Sequence, residues 1–340
     1  MKKIIFLLLF IFVCYEAYNV LVRTTHFKNE KASFDYTKQG LDNLADTLVA
    51  KQIILDKPSF LLLAKALNVE AKAKPGKFLV KKNTSLLSII RMLRNNQQAT
   101  VNFVLNKVRT RGELAKLIGN TLSMDSSTAA HFFNNNDSLK PFGTDTTLLL
   151  TLFIPDTYTM YWSTSLPKLM QKMKDQQIQF WNTNNRTEQA KKIGMTPNDV
   201  YTLASIVEEE CNYDSDKTLI ASVYQNRLKK SMPLQACPTI KYAMQDFALT
   251  RIYEKYLSNP SPYNTYRKKG LPPGPICTPS PKTIDLVLNA PTTDYLYFVA
   301  KADFSGYHHF STTFQEHSKF AKEYQLKLDE YQKKKQLNKE

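Results

Sequence analysis

Two lysines, Lys2 and Lys3, precede an apolar run over residues 4–14. The apolar character continues through 22 with one acid, Glu16, and ends at Arg23. That length suits the about 20 residues of a membrane-spanning helix. A cleaved signal peptide is the rival reading, but no small-x-small cleavage site follows, and Val13 precedes Cys14 where lipoprotein processing wants a small residue. Residues 1–23 are read as an uncleaved transmembrane anchor, with the lysines holding the short N-terminus inside and the rest of the chain outside. Residues 24–34 are polar and read as a linker.

Helical spacing of apolar positions over 41–49 and 59–67, strand-like runs at 76–80 and 100–105, and a helix at 85–93 predict a small α+β module over 35–105, with Ser59 as an N-cap. Residues 106–195 read as a helical connecting region. Helices are expected at 111–118 and 166–180, with a turn at 155–158 and a polar boundary stretch at 182–192. A third part, 196–330, opens on Thr196, Pro197 and Asp199, a helix-start signal of N-cap, N1 proline and N3 acid. The polar stretch 212–216 ends that helix and caps the next, which turns Leu219, Ile220, Val223, Tyr224 and Leu228 inward. Beyond Pro233 the chain is rich in Pro, Gly and aromatic residues to Pro291. A buried strand at 295–299 and a helix at 311–327 follow, and 331–340 is a basic tail. The fold class is α+β in several domains.

The most informative segment is 203–210. Leu203, Ile206, Val207 and Glu210 follow the i, i+3, i+4, i+7 spacing of one helical face, which puts an acid on an apolar side. A carboxyl that loses hydration there gains a raised pKa and can donate a proton near neutrality. A boundary acid with its head in water has the same spacing. Glu208 and Glu209 project elsewhere, and Glu209 is read as solvated.

The net charge of +16 favours a polyanionic partner: nucleic acid, anionic lipid or an acidic wall polymer. No zinc-finger spacing, RNP-like aromatic motif or basic recognition helix is present, which argues against nucleic acid. The four cysteines form no CxxC pair. His308, His309 and His317 make no metal-ligand pattern such as HExxH, so they read as structural or cleft residues. No metal and no cofactor is expected.

Several segments together resemble one family. Residues 203–210, Val223-Tyr-Gln-Asn-Arg-Leu-Lys229, Met232-Pro-Leu-Gln235 with Pro238-Thr239, Tyr263-Asn-Thr-Tyr266, Gly270-Leu-Pro-Pro-Gly-Pro-Ile276 and Asp294-Tyr-Leu-Tyr-Phe-Val299 are similar, in order and spacing, to the YceG-like endolytic murein transglycosylases. The match covers most of 196–320, and Pro155-Asp-Thr-Tyr158 also looks like a family element. The resemblance implies a membrane anchor, a LysM-like module over 35–105 and a C-terminal α+β catalytic domain over 196–330. It also implies peptidoglycan glycan strands as substrate, peptidoglycan synthases as partners, and a periplasmic catalytic domain on the inner membrane.

The implied reaction cuts the β-1,4 bond between N-acetylmuramic acid and N-acetylglucosamine, leaves 1,6-anhydro ends and terminates strand elongation. Glu210 is the candidate acid and Glu208 the runner-up. Residues two apart on a helix diverge by roughly 200°, so both cannot face one cleft. Candidate substrate contacts are Asn226, Arg227, Gln235, Tyr263, Asn264 and Tyr266, with Gly270, Leu271, Pro272, Pro273 and Gly274 as a rigid cleft wall. The chain departs from the family at Cys237, where an acid is common, and at Cys277, where a small residue is common. These two either form a disulfide or stay unpaired. The competing functions are a non-catalytic wall-binding scaffold of a synthesis complex, and a hydrolase drawing its second carboxyl from Asp294 or Asp303.

Overall fold

The structure, a computed structural model, describes residues 2–21, 25, 27–249 and 251–337. In chain order the elements are α1 (Lys2–Leu21), β1 (Lys31–Tyr36), α2 (Leu41–Ala50), α3 (Lys57–Ala66), α4 (Val69–Lys72), β2 (Gly76–Lys81), α5 (Leu86–Arg94), β3 (Thr100–Leu105), α6 (Arg111–Thr121), α7 (Ser126–Phe133) and α8 (Asn136–Leu139). There follow β4 (Asp156–Tyr161), α9 (Leu166–Asn182), α10 (Arg186–Lys192), α11 (Pro197–Glu210), α12 (Asp214–Lys229), α13 (Cys237–Met244), α14 (Glu254–Leu257), α15 (Pro281–Leu288), β5 (Tyr297–Ala300), β6 (His308–Ser311) and α16 (Phe314–Leu337). The strands form three two-stranded sheets, β1–β2, β3–β4 and β5–β6. The class is mixed α+β, and the chain divides into two compact units.

The first unit comprises Met1–Phe103, Ile118–Asp125 and Tyr158–Ser165. Strand β1 starts at Lys31, inside the stretch read as linker, and pairs antiparallel with β2 in a register that sets Phe34 opposite Phe78. The two rings stack at 5.4 Å. Alternation along both strands turns Phe34, Tyr36, Phe78 and Val80 into a core with Leu44, Leu48, Phe60, Ile90 and Leu93 from the helices. Ser59 is not the cap of α3. Asp56 is, accepting from the Ser59 amide, because Pro58 occupies the first turn and moves the helix start two residues upstream. On α1 the described apolar side chains, among them Ile4, Phe6, Leu8 and Phe12, stand exposed. Among the described residues no helix is long and apolar enough to cross a membrane.

The second unit comprises Val104–Leu117, Ser126–Thr157 and Leu166–Glu340. Residues 166–195 thus share a unit with 196–337. The polar stretch 182–192 forms α10, whose buried Arg186 makes a bidentate pair with Asp285 of α15 at 2.6 and 2.9 Å and lies 4.0 Å over the Phe180 ring. The expected turn at 155–158 continues as β4. Helix α11 is the hub: residues 200–207 are all buried, packed among α10, α12, α13 and α15. Its start is the capping box expected from Thr196 and Asp199. Its burial on every side departs from the one-faced stripe the spacing suggested, because Val200, Tyr201 and Ala204 fill the remaining faces. Strand β5 is half-exposed, and α16 runs through the segment read as a tail as far as Leu337.

Candidate active site

Three successive glutamates end α11, and each meets a different environment. Glu208 accepts from Lys217 Nζ at 3.0 Å and from Ser280 Oγ at 3.2 Å, and is also bonded by Thr283 Oγ1. Glu209 is not solvated: Arg109 grips it at 3.1 and 3.0 Å and Lys107 lies at 3.0 Å. Burial would raise its pKa, but the hydrogen bonds from Arg109 and Lys107 win and hold the carboxyl below the ordinary value. The sequence hides these partners because they lie about a hundred residues upstream or on α12 and α15.

Glu210, the last residue of the helix, has no ion pair among the described residues. Its Oε1 accepts a hydrogen bond of 2.5 Å from the Tyr224 hydroxyl, one helix on. Burial pushes the carboxyl up to about 7, against the lowering by that hydrogen bond and by the Lys241 and Arg227 charges. Burial also raises the Tyr224 phenol, which the adjacent carboxyl reinforces, so the phenol stays a donor. Glu210 lines a cleft of about 290 Å³ with Arg227, Leu234, Gln235, Cys237, Tyr266, Phe298 and His317. It is the one carboxyl among the described residues lining that cleft.

Of the other sequence candidates, the fold brings Arg227, Gln235 and Tyr266 to this cleft. Arg227 is buried and spends its donors on the backbone, reaching the Leu296 carbonyl at 2.7 Å and the Leu234 carbonyl at 2.8 Å, with Gln235 Oε1 at 3.3 Å. It is therefore a brace that also puts a cation near Glu210. Asn226 holds the loop before β5, donating to the carbonyls of Thr293 and Tyr295 at 2.7 and 3.0 Å. Asn264 is fully buried and bonded to the carbonyls of Leu257 and Asn259. Tyr263 lines a different cavity.

In the wall segment Gly270 takes a left-handed φ of 84°, Leu271 packs on the core, Pro272 is buried and Pro273 is exposed. A Cβ on Gly274 would overlap the Thr147 carbonyl, so only glycine permits that approach. None of these five residues lines the Glu210 cleft.

The cysteines are free thiols. Cys277 is buried and donates to the Ser205 carbonyl at 3.4 Å, while Cys237 meets the Tyr266 hydroxyl at 3.2 Å, so the proposed bridge is not formed. His308 faces Asp216 at 3.0 Å and His309 stacks on Phe320 at 4.1 Å. His317 stacks on Tyr297 at 5.4 Å and buries an Nδ1 without a hydrogen-bond partner. Burial, with the Arg227 charge, holds its pKa below the ordinary value. Among the described residues no three His, Cys, Asp or Glu side chains group to hold a metal.

Tyr224 and His317 are the site residues that sequence reasoning assigned elsewhere. Tyr224 carries the inward periodicity of a core residue, and its place inside the 223–229 motif was the one signal pointing to the site. Removing that hydroxyl takes away a hydrogen bond that favours the ionised acid. Tyr224→Phe is expected to move the alkaline limb of the pH–rate profile upward. A limb that stays in place would show that the phenol does not tune Glu210.

A family model described as the YceG-like family matches residues 36–323. The chain is 39% identical over 161 residues to the endolytic murein transglycosylase of Bacillus subtilis, covering 47% of this chain and 43% of that protein. It is 35% identical over 153 residues to the endolytic murein transglycosylase of Streptococcus pneumoniae, covering 43% of this chain and 27% of that protein. The match thus spans less than half the length of these curated relatives. The fold is shared with the crystal structure of a YceG-like protein from Listeria monocytogenes, at a TM-score of 0.57 and 24% identity over 85% of this chain and 98% of that one. The chain, matched by the family model along most of its length, belongs to the YceG-like family.

Proposed function

We propose that this chain is a lytic transglycosylase cutting within peptidoglycan glycan strands, with Glu210 as its single acid and base. The observation that carries this reading is a carboxyl with a pKa of about 7, half-buried at the wall of a cleft whose described lining holds no other acid. A protonated Glu210 donates to the glycosidic oxygen between N-acetylmuramic acid and N-acetylglucosamine, and that bond breaks. The resulting carboxylate takes the proton of the muramoyl C6 hydroxyl, whose oxygen closes onto C1 to give the 1,6-anhydro ring. Glu210 ends protonated again. The nucleophile belongs to the substrate, so proximity replaces the second carboxylate that glycoside hydrolysis needs. Names of the curated relatives support the substrate class.

The hydrolase alternative lacks support from geometry, since neither Asp294 nor Asp303 lines the cleft and both are exposed. Cutting nascent strands would end their elongation, which fits a chain held at the membrane among peptidoglycan synthases. Among the described residues no helix is long and apolar enough to cross a membrane, but the apolar, exposed side chains of α1 and the preceding lysines support membrane attachment at this end with the catalytic unit outside. Residues 35–105, with strand β2 and the packed helices α2 to α5, are proposed to be the LysM-like module.

The test is product analysis. The full chain in detergent, given uncrosslinked glycan strands, is expected to release fragments ending in 1,6-anhydro-muramic acid. Reducing muramic ends would assign the hydrolase instead, and intact strands would assign the scaffold.

A further inference from the structure

A second cavity of about 610 Å³ lies in the same unit, and the reaction above does not use it. The start of α6 supplies Arg111, α7's end supplies Asn134, the turn before residue 148 supplies Thr146, and the end of α13 supplies Tyr242 and Gln245. The loop before Tyr266 adds Tyr263. No acid is among the described lining residues.

The wall is built rather than incidental. The rings of Tyr242 and Tyr263 meet at 4.6 Å, and Phe247 packs edge-on against Tyr242 at 6.3 Å. The Arg109 guanidinium covers Phe247 at 5.1 Å and is itself fixed by Glu209. Arg111 gives one donor to the Thr146 carbonyl at 2.5 Å, and its other nitrogens have no protein partner among the described residues.

This chemistry matches an N-acetylated sugar. Tyrosine faces offer apolar surface to the C–H face of a pyranose, amide side chains pair with an acetamido group, and an arginine pairs with a carboxylate. The volume lies within the range of small-ligand sites. Helix α13 joins the two cavities: Cys237 at its start lines the Glu210 cleft, while Tyr242 and Gln245 line the second. Along a helix those positions are about 8–12 Å apart, a distance a short oligosaccharide spans. Tyr266 and Tyr263 repeat the division on the neighbouring loop.

We propose that the Arg111–Tyr242–Tyr263 cavity is a distal subsite for the strand being cut, holding an N-acetylated disaccharide with Arg111 on a carboxylate of its muramoyl substituent. The proposal rests on the glycan-cutting reading of the Glu210 cleft. Holding a strand at two places keeps the cut away from the held segment, and it makes long strands bind more tightly than short ones.

The experiment measures binding of uncrosslinked glycan oligomers of increasing length to the full-length Glu210→Gln protein. Affinity is expected to rise by about tenfold or more once an oligomer spans both cavities, as for two linked sites. Arg111→Gln and Asn134→Ala, each added separately, are expected to reduce that gain to less than about threefold. Asn134 is exposed, so its variant tests the site without touching the core, and thermal melts near the parent's show that the fold is kept. A full length-dependent gain in both variants overturns the subsite while leaving Glu210's role intact. Wild-type protein that neither binds nor cuts any strand removes both proposals together.

Discussion

Glu210→Gln is expected to lower the rate of glycan cleavage by about 10²–10⁴, the usual contribution of a positioned general acid. Glutamine keeps the shape of the side chain and can still accept from Tyr224, but it has no proton to give. The same variant is expected to be more stable than wild type in alkaline solution. The Glu210 carboxyl has an ordinary value of 4.5 and is pushed up to about 7 in the folded protein.

Between those values the unfolded chain has released a proton that the folded chain still holds. Raising the pH through that window therefore favours unfolding. The stability that Glu210 contributes is full below 4.5 and lost above about 7, a difference of roughly 3 kcal/mol by linkage. Gln does not titrate, so the two melting curves should diverge as the pH rises from 5 to 8. Wild-type activity should fall over the alkaline part of the same range as the acid ionises. Full activity of Glu210→Gln, with loss of activity in Glu208→Gln, would move the catalytic role to Glu208.

Lys217→Ala is expected to cost about 3 kcal/mol, near the low end for breaking a buried ion pair. The side chains of Lys217 and Glu208 are 9% and 15% exposed, and the ammonium bonds both Glu208 at 3.0 Å and Thr283 at 3.1 Å. Without it the Glu208 carboxylate keeps only the hydroxyls of Ser280 and Thr283. For a unit of this size the loss amounts to roughly 6–12 °C in melting temperature. Adding Glu208→Gln should recover part of it, because the uncompensated charge goes as well. A single variant melting within a degree or two of wild type would show that the pair adds no net stability. Since this network fixes the last turn of α11 two residues before Glu210, Lys217→Ala should also lower activity while leaving the pH–rate limb set by Glu210 in place.

The segments that local rules govern were legible in the chain. The α11 start could be read because Thr196, Pro197 and Asp199 act on the backbone within one turn. Strands β2 and β3 and the helices α5 and α12 followed from periodicity in the same way. Local rules also account for the misreadings. Ser59 resembled a cap until Pro58 moved the helix start, and 155–158 resembled a turn because its extended partner β3 lies some fifty residues earlier.

The site residues show the division most sharply. Asn226, Asn264 and Arg227 have the donors of ligand contacts, yet the fold uses most of them on backbone carbonyls that no sequence window contains. Buried polar side chains must be satisfied, and which carbonyls are nearby is settled only when distant segments meet.

By itself, then, the sequence determined the helix carrying Glu210, the spacing that separates Glu210 from Glu208, and the family to which the chain belongs. Only the tertiary structure decided how the three glutamates differ. Lys217 pairs with Glu208, and Arg109 and Lys107 hold the Glu209 carboxyl below its ordinary value, while burial pushes Glu210 up to about 7 against the hydrogen bond from Tyr224. The physical reason is that periodicity is a short-range property of the backbone, whereas a pKa is set by whichever charges, dipoles and water the fold brings within a few ångströms.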